Sequence, residues 1–264
     1  MTERRIQNLL YDHPEYYELV YPEPNEETPN MCRRMFARFL RQAPTSILDI
    51  GCGTGRDLAA LTRDGAEGWG VDTSAQMIAF AQHQRPRLRL QTGDMRSVRL
   101  GRVFDAILCM GSAFMYALSN DEIAQTLNTF VAHARPGTLL ILDINNAAHY
   151  LGGGFEQRME KTVVTPQFTA RTIATHSFDR RRQLLIRRRV WEIPGRSPIE
   201  DYCEYRLLFP AELDGLLLEH GFRVAGMYDN MDLRETDLSG RRLYIAAIRE
   251  SGRHHDHCRA VEFG

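Results

Sequence analysis

With 264 residues, 43% of them hydrophobic, and a formal charge of −1, the chain is long enough for one sizeable α/β core plus an accessory segment. The near-neutral balance argues against nucleic acid as the main partner, because phosphate binding leaves a basic footprint. No apolar run approaches the roughly twenty residues that a membrane span needs. The five cysteines, Cys32, Cys52, Cys109, Cys203 and Cys258, are widely spaced, without paired metal spacing or a secretory leader before them, so free thiols, no metal and a soluble cytoplasmic protein are expected.

Residues 2–24 carry an aromatic cluster, Tyr11, Tyr16, Tyr17 and Tyr21, interleaved with acids, which reads as an amphipathic helix packing its rings on the core. Residues 29–40 form a helix whose Met31, Met35, Phe36, Phe39 and Leu40 share one apolar face. The run Ser46-Ile47-Leu48-Asp49-Ile50 reads as a buried parallel strand, and it stops at Gly51-Cys52-Gly53-Thr54-Gly55 before a helix over Arg56–Leu61. A dinucleotide fingerprint would place its third glycine where Arg56 stands, and a carboxylate at Asp49 would repel a phosphate. A zwitterionic or cationic ligand fits better. Asp72 closes the next strand, Gly68-Trp69-Gly70-Val71, at the place where an acid accepts hydrogen bonds from ribose hydroxyls in nucleotide-binding α/β proteins.

A crossover helix then starts at Ser74, with Thr73 or Ser74 as its cap, and contains Met77. Residues 88–95 read as a third strand ending in Gly93-Asp94-Met95, and residues 104–110 as a fourth that runs into Gly111-Ser112-Ala113-Phe114-Met115-Tyr116. Residues 122–134 are an amphipathic helix stopped by Arg135-Pro136-Gly137, and residues 138–144 are the fifth strand. Asp49, Asp72 and Asp94 thus all fall at strand ends, where open α/β sheets bind their ligands.

Asp49-x-Gly51-x-Gly53-x-Gly55 followed by Asp72 resembles the first two motifs of the class I S-adenosylmethionine-dependent methyltransferases. The resemblance implies a Rossmann-like α/β fold, a mostly parallel twisted sheet with helices on both faces, and S-adenosyl-L-methionine as cofactor. It also implies cofactor contacts from Asp49, Gly51, Cys52, Gly53 and Gly55 of the turn, from Asp72 and Thr73, and from Met77 near the adenine. Asp94 would accept from the exocyclic amine, Met95 would offer its amide and an apolar wall, and Cys109 and Met110 would face methyl donor and acceptor. The run Tyr17-Glu18-Leu19-Val20-Tyr21 looks like the N-terminal tyrosine motif of small-molecule N-methyltransferases, including sugar N,N-dimethyltransferases. That makes Tyr17, and with it Tyr11, a lid whose aromatic faces stabilise a sulfonium. The family continues with a basic, glycine-containing segment, whereas this chain continues with Pro22-Glu23-Pro24-Asn25-Glu26-Glu27. Enzymes that methylate exocyclic amines of nucleic-acid bases carry Asn-Pro-Pro-Tyr or a relative where this chain has Cys109-Met110-Gly111-Ser112, which speaks against that substrate class.

From residue 145 the character changes. After the loop Gly152-Gly153-Gly154, residues 161–208 alternate β-branched and charged residues, with turn signals at Asp179-Arg180 and Pro194-Gly195. They read as an antiparallel meander that covers the acceptor site, forms a homodimer contact, or both. Its arginines at 180–182 and 187–189 read as solvated or acid-paired strand faces. Pro210-Ala211-Glu212-Leu213 opens a helix that Gly221 ends, and residues 222–228 and 242–249 complete the sheet as an antiparallel pair. The expected organisation is lid and core over 1–150, a β-rich insertion over 151–208, completion of the core over 209–250 and a disordered tail. That tail holds His254-His255-Asp256-His257-Cys258, a metal-binder's composition without neighbouring structure.

Methyl transfer from a sulfonium needs alignment and exclusion of water more than a strong base. A neutral amine can serve as acceptor, and a hydroxyl needs a base. Tyr17, Tyr21, Tyr116, His149, His176 and Glu204 are the candidates for that part. The leading expectation is N-methylation of a small-molecule acceptor. Small-molecule O-methylation, RNA or protein modification through the arginines, and a non-catalytic scaffold stand as alternatives.

Overall fold

The structure is a computed structural model that describes residues 6–22, 26–152 and 155–251. Residues 1–5, Glu23-Pro24-Asn25, the glycines at 153–154 and the histidine-containing tail from residue 252 lie outside the described residues. The chain enters as a two-residue strand, β1 (Ile6–Gln7), and two short helices, α1 (Leu9–Asp12) and α2 (Pro14–Val20). The expected single N-terminal helix is therefore divided. Asn8 caps α1 by accepting from the Leu10 amide at 3.2 Å, and Pro14, which has no amide to donate, restarts the helix as the first residue of α2. Ile6 and Gln7 instead pair with Cys203 and Tyr202.

The core follows as α3 (Glu27–Phe39), β2 (Ser46–Ile50), α4 (Arg56–Leu61), β3 (Glu67–Asp72), α5 (Ala75–Gln84), β4 (Arg89–Thr92) and β5 (Phe104–Cys109). A 3₁₀ turn (Ala113–Tyr116), α6 (Asn120–Ala132), β6 (Ala134–Asn145) and α7 (Ala147–Leu151) come next. Ser74 caps α5, accepting from the Met77 amide. Ser119 and Glu122 form a reciprocal capping box, so α6 begins at Asn120, and Glu122 is its third residue instead of its first. The expected fifth strand begins earlier than its apolar run. Arg135-Pro136-Gly137 belongs to β6, at the irregularity where its register against β5 shifts between Phe104 and Ala106 and where Gly137 takes φ +90°. The third strand is shorter than expected and leaves Asp94 and Met95 in the turn beyond it.

Two sheets result. The larger has seven strands in the order β11-β12-β6-β5-β2-β3-β4, where β11 (Phe222–Tyr228) and β12 (Arg242–Arg249) form the antiparallel pair at one edge. The chain runs outward from β2 to β3 and β4 and returns to β5 on the other side, so β2 marks the point where strand order reverses. Helices pack on both faces, with Met31, Met35 and Ile78 in one apolar layer and Phe104, Phe114, Phe130 and Leu127 in the other. The smaller sheet is antiparallel, in the order β1-β10-β9-β8-β7, built from β7 (Arg158–Val164), β8 (Thr169–Asp179), β9 (Leu184–Glu192), β10 (Ile199–Arg206) and the N-terminal β1. The helix α8 (Pro210–Glu219) returns the chain to the core. No helix among the described residues is long and apolar enough to cross a membrane.

Asp201 fastens the N-terminal segment to the smaller sheet. At 2% exposure it accepts from the Leu9 amide at 2.8 Å, from Arg189 Nε at 2.7 Å and from Trp191 Nε1 at 2.8 Å. Removing its carboxylate strands a half-buried guanidinium and two buried donors. Asp201→Ala should therefore lower stability by about 3 kcal/mol or more, read by urea denaturation, and should raise amide exchange across α1. A loss under about 1 kcal/mol with unchanged exchange would remove this role.

Candidate active site

A cavity of about 1330 Å³ opens at the carboxyl ends of β2, β3, β4 and β5. Its floor is the turn after β2. Gly51, at φ +82°, lies so close to the 3₁₀ turn that a Cβ on it would meet Ala113 Cβ at 2.5 Å. Gly53, at φ +54°, faces open space with nothing within 4 Å. The turn is pinned to β3, since the Gly51 and Cys52 amides donate to the Val71 carbonyl at 2.7 and 3.1 Å and the Gly53 amide donates to Asp72 Oδ2 at 2.9 Å. Gly55 caps α4 in the left-handed conformation and stands behind this floor, outside the cavity lining.

Asp49 and Asp72 give the floor its charge. Asp49 is 4% exposed and its Oδ1 has no hydrogen-bond partner. Burial, with Asp57 and Asp72 adding repulsion, pushes its carboxyl well above the usual range. Asp72 accepts from the Ser74 amide at 2.8 Å as well as from Gly53, and these backbone donors oppose the upward push of burial. Thr73, Met77 and Met95 line the wall beside it. Burial pushes the Cys52 thiol up, with Asp49 and Asp72 acting the same way, so the one thiol on the floor stays neutral.

Asp94 lines the cavity, but Arg96 already binds it. The guanidinium donates Nε to Oδ1 at 2.9 Å, the Arg96 amide donates to the same oxygen at 2.8 Å, and the pair holds the carboxyl below its ordinary value. Arg96 also reaches Glu122 at 2.7 Å. A ligand amine at Asp94 shares its carboxylate with that arginine.

The N-terminal helices form one wall. Tyr11 and Tyr17 line the cavity, and Tyr11 Oη lies 3.1 Å from Tyr116 Oη, which in turn lies 3.5 Å from Tyr205 Oη. Burial pushes all three of these phenols up, Tyr205 to about 12, and burial likewise raises Tyr17 against the opposing charge of Arg56. The Arg56 guanidinium lies 5.3 Å from the Tyr17 ring centroid and donates to the Tyr21 carbonyl. Glu18 pairs with Arg85 at 3.1 Å, and Arg85 donates to the Thr54 carbonyl at 3.0 Å, which straps α2 across the glycine turn.

Several expected positions lie elsewhere. Tyr21 is 42% exposed and outside the lining. Cys109 is fully buried beneath the floor, while the next residue, Met110, reaches the cavity. His149 is half-buried against Tyr150 and Phe155, with Nδ1 3.3 Å from the Ser239 carbonyl. His176 projects from β8 against Phe155. Neither histidine lines the cavity, because the connection after β6 and the meander carry them past its edge. Glu204 does line it, bound by Tyr202 Oη at 2.6 Å, with Arg188 over the Tyr202 ring. The sequence reading passed over Arg56, Arg96, Glu122, Arg188 and Tyr202 as wall residues. Arg56 directly follows the glycine turn and Arg96 follows Asp94 by two residues, so both had a local signal. Arg188 and Tyr202 reach the cavity only through sheet pairing, and they had none.

Known proteins share this fold. Residues 47–137 match the family described as a methyltransferase domain. The dTDP-3-amino-3,4,6-trideoxy-alpha-D-glucopyranose N,N-dimethyltransferase of Streptomyces venezuelae is 29% identical over 134 residues, 50% of this chain and 56% of that protein. The dTDP-3-amino-3,6-dideoxy-alpha-D-glucopyranose N,N-dimethyltransferase of Streptomyces fradiae is 32% identical over 131 residues, 49% of this chain and 51% of that protein. The chain thus spans about half the length of the curated relatives it matches. An S-adenosylmethionine-dependent methyltransferase from Clostridium acetobutylicum superposes with a TM-score of 0.75 at 16% identity, covering 92% of this chain and 100% of that one. CalS10, an amino pentose methyltransferase from Micromonospora echinaspora solved with the cofactor bound, gives 0.73 at 22% identity over 92% and 99%. Residues 47–137 thus match a methyltransferase domain, and the chain has the fold of these S-adenosylmethionine-dependent methyltransferases.

Proposed function

We propose that this chain methylates the nitrogen of a small-molecule acceptor, an amino sugar, using S-adenosylmethionine. The observation that carries the reading is the pairing of the Asp49–Asp72 floor with the Tyr11–Tyr17–Tyr116 wall in one cavity. The residues fit the cofactor. Asp49 Oδ1 is a buried acceptor without a donor, suited to an ammonium, and Gly53 leaves backbone open to a ligand. In this reading Asp49 takes the cofactor's amino group, Arg56 its carboxylate, and Asp72 the ribose hydroxyls. Asp94, Met95 and Met77 enclose the adenine, and Gly51, Cys52, Thr73 and Met110 complete the wall. When bound, S-adenosylmethionine supplies a methyl group already activated by a positive sulfur.

The chain's own part is to hold the acceptor nitrogen in line, exclude water and let the proton leave to solvent. A hydroxyl acceptor would need a base, and no histidine lines the cavity among the described residues. The phenols of Tyr11, Tyr17 and Tyr116 are pushed up by burial and stay protonated at neutral pH, which suits them to orient an amine and not to deprotonate an alcohol. Glu204 and Tyr202 stand on the acceptor side, where the β7–β10 sheet is read as the cover. Three arginines of that region have acid partners, Arg189 with Asp201, Arg182 with Asp179 and Arg171 with Glu160, which supports a metabolite over a nucleic acid. The setting that goes with this reading is cytoplasmic small-molecule metabolism. The acceptors in the names of those relatives, dTDP-linked 3-amino sugars, are the first compounds to try.

Transfer of labelled methyl to such an amino sugar, and not to its hydroxyl analogue, is the expected result. Label on the hydroxyl analogue alone would overturn the assignment. Asp72→Ala should weaken cofactor binding by roughly 1 to 3 kcal/mol in titration calorimetry, the cost of a lost buried acceptor. Unchanged affinity would take Asp72 out of the site.

Asp49 yields a pH prediction. A carboxyl raised in the folded state contributes stability below its unfolded value, near pH 4, and loses it as pH rises through the folded value. Asp49→Asn, which cannot ionise, should therefore melt higher than the parent at pH 7 without ligand, the gap closing toward about pH 4. It should also bind the cofactor less tightly. A gap that is the same at both pH values would contradict the assigned burial cost.

A further inference from the structure

Behind the tyrosines of the cavity wall lies a positive charge with no carboxylate beside it among the described residues. Arg187 of β9 stands between His176 of β8 and Cys203 of β10 in the ladder, so its side chain shares the face that Cys203 and Tyr205 turn toward the core. One Nη donates to Cys203 Sγ at 3.2 Å, and the guanidinium carbon lies 5.5 Å from the Tyr205 ring centroid. Its Nε is shut off from solvent and has no hydrogen-bond partner. The neighbouring Arg189 has Asp201 as its acid, which the expectation of solvated or acid-paired faces anticipated, but Arg187 is an exception to it. The titratable groups that face it are Tyr205 and Cys203 on β10, Tyr116 on the 3₁₀ turn, Tyr11 on α1 and His176 on β8, with Arg241 adding a second positive charge near the histidine. Glu204, the carboxylate of the cavity wall on this sheet, belongs to the opposite face of β10 from Cys203.

An uncompensated buried guanidinium is costly to keep. Its position suggests what it does. Tyr116 Oη lies 4.0 Å from the Cys203 sulfur to which Arg187 donates, so the charge is within about 7 Å of an oxygen on the cavity wall. At that range a fixed cation disfavours a second one. His176 is consistent with such a field, since burial first and Arg187 second push its imidazole down.

We propose that Arg187 holds the acceptor amine in its neutral form. It touches no reacting atom and acts through its field across Tyr205 and Tyr116, as a positioning charge. An acceptor that arrives as an ammonium loses a proton to solvent, and the freed lone pair forms the N–C bond as the S–C bond breaks and its electron pair stays on sulfur. The methylated product is again a cation, and the same field favours its deprotonation, which a second methylation of that nitrogen requires. This inference rests on the reading of the site as an N-methyltransferase.

The test is single-turnover methyl transfer measured against pH, from about pH 5 to about pH 9, with dTDP-3-amino-3,6-dideoxy-alpha-D-glucopyranose as acceptor. The parent is compared with Arg187→Met, Arg187→Gln and Arg187→Lys. The two neutral variants should move the acidic limb to higher pH by about one unit, while Arg187→Lys follows the parent. A purely structural role would change the height of the profile and leave the limb in place. Two neutral substitutions guard against a misfolded one, and exchanging an unpaired buried charge for an apolar chain of similar length is tolerated in cores. A limb that stays put in the folded neutral variant, or one that moves equally in Arg187→Lys, overturns the proposal. Failure of the parent to methylate this or any other amine would instead bring down the N-methyltransferase reading, and the proposal with it.

Discussion

The close approach of backbones at the carboxyl end of β2 is the constraint on which the rest depends. Gly51 presses on Ala113, and a Cβ on Gly70 would meet Cys52 Sγ at 2.8 Å. The turn can therefore be pinned to β3 through Val71 and Asp72 only because these positions carry no side chain. The same contacts align the ends of β2, β3 and β5, bring Asp49 and Asp72 to one floor, and aim Gly53 at the cavity. A side chain at Gly51 would drive the floor away from the 3₁₀ turn that brings Tyr116, and one at Gly70 would press on Cys52 and Leu90.

Charge on that floor is kept at a cost to the protein alone. A buried carboxyl without a donor, as at Asp49, opposes folding at neutral pH and becomes favourable only when a cation arrives. Arg187 repeats the pattern with the opposite sign on the acceptor side. Asp94, by contrast, already has Arg96, so the site holds one acid that awaits a partner and one that has to share.

The strands and crossover helices of the core were legible because their signals are local. Ser46–Ile50 is a continuous apolar run closed by glycines, and Ser74 and Ser119 are capping residues whose partners lie three positions away. What the sequence concealed depended on distant partners. Ile6 and Gln7 carry no strand signal of their own and become β1 only because β10 offers an open edge. Arg187 and Arg188 are adjacent and chemically alike, yet strand alternation buries one against tyrosines and turns the other to the cavity rim. The phase of that alternation was not visible without the register. His149 and His176 were expected near the mouth of the site, but His149 on α7 and His176 on β8 pack against Phe155 and stay off the cavity lining.

The pairing of β1 with β10 also sets an order of assembly. Gln7 and Cys203 stand 196 positions apart, and the wall made by α1 and α2 hangs from that pairing and from Asp201. During synthesis from the N-terminus, the core strands β2 to β6 emerge long before the edge that the first residues must join. The opening segment therefore waits, with its tyrosines unplaced, while the glycine turn and its acids are already formed beneath it. On a ribosome this protein has the strands of its acidic floor early and can close the wall above them only once β10 has emerged.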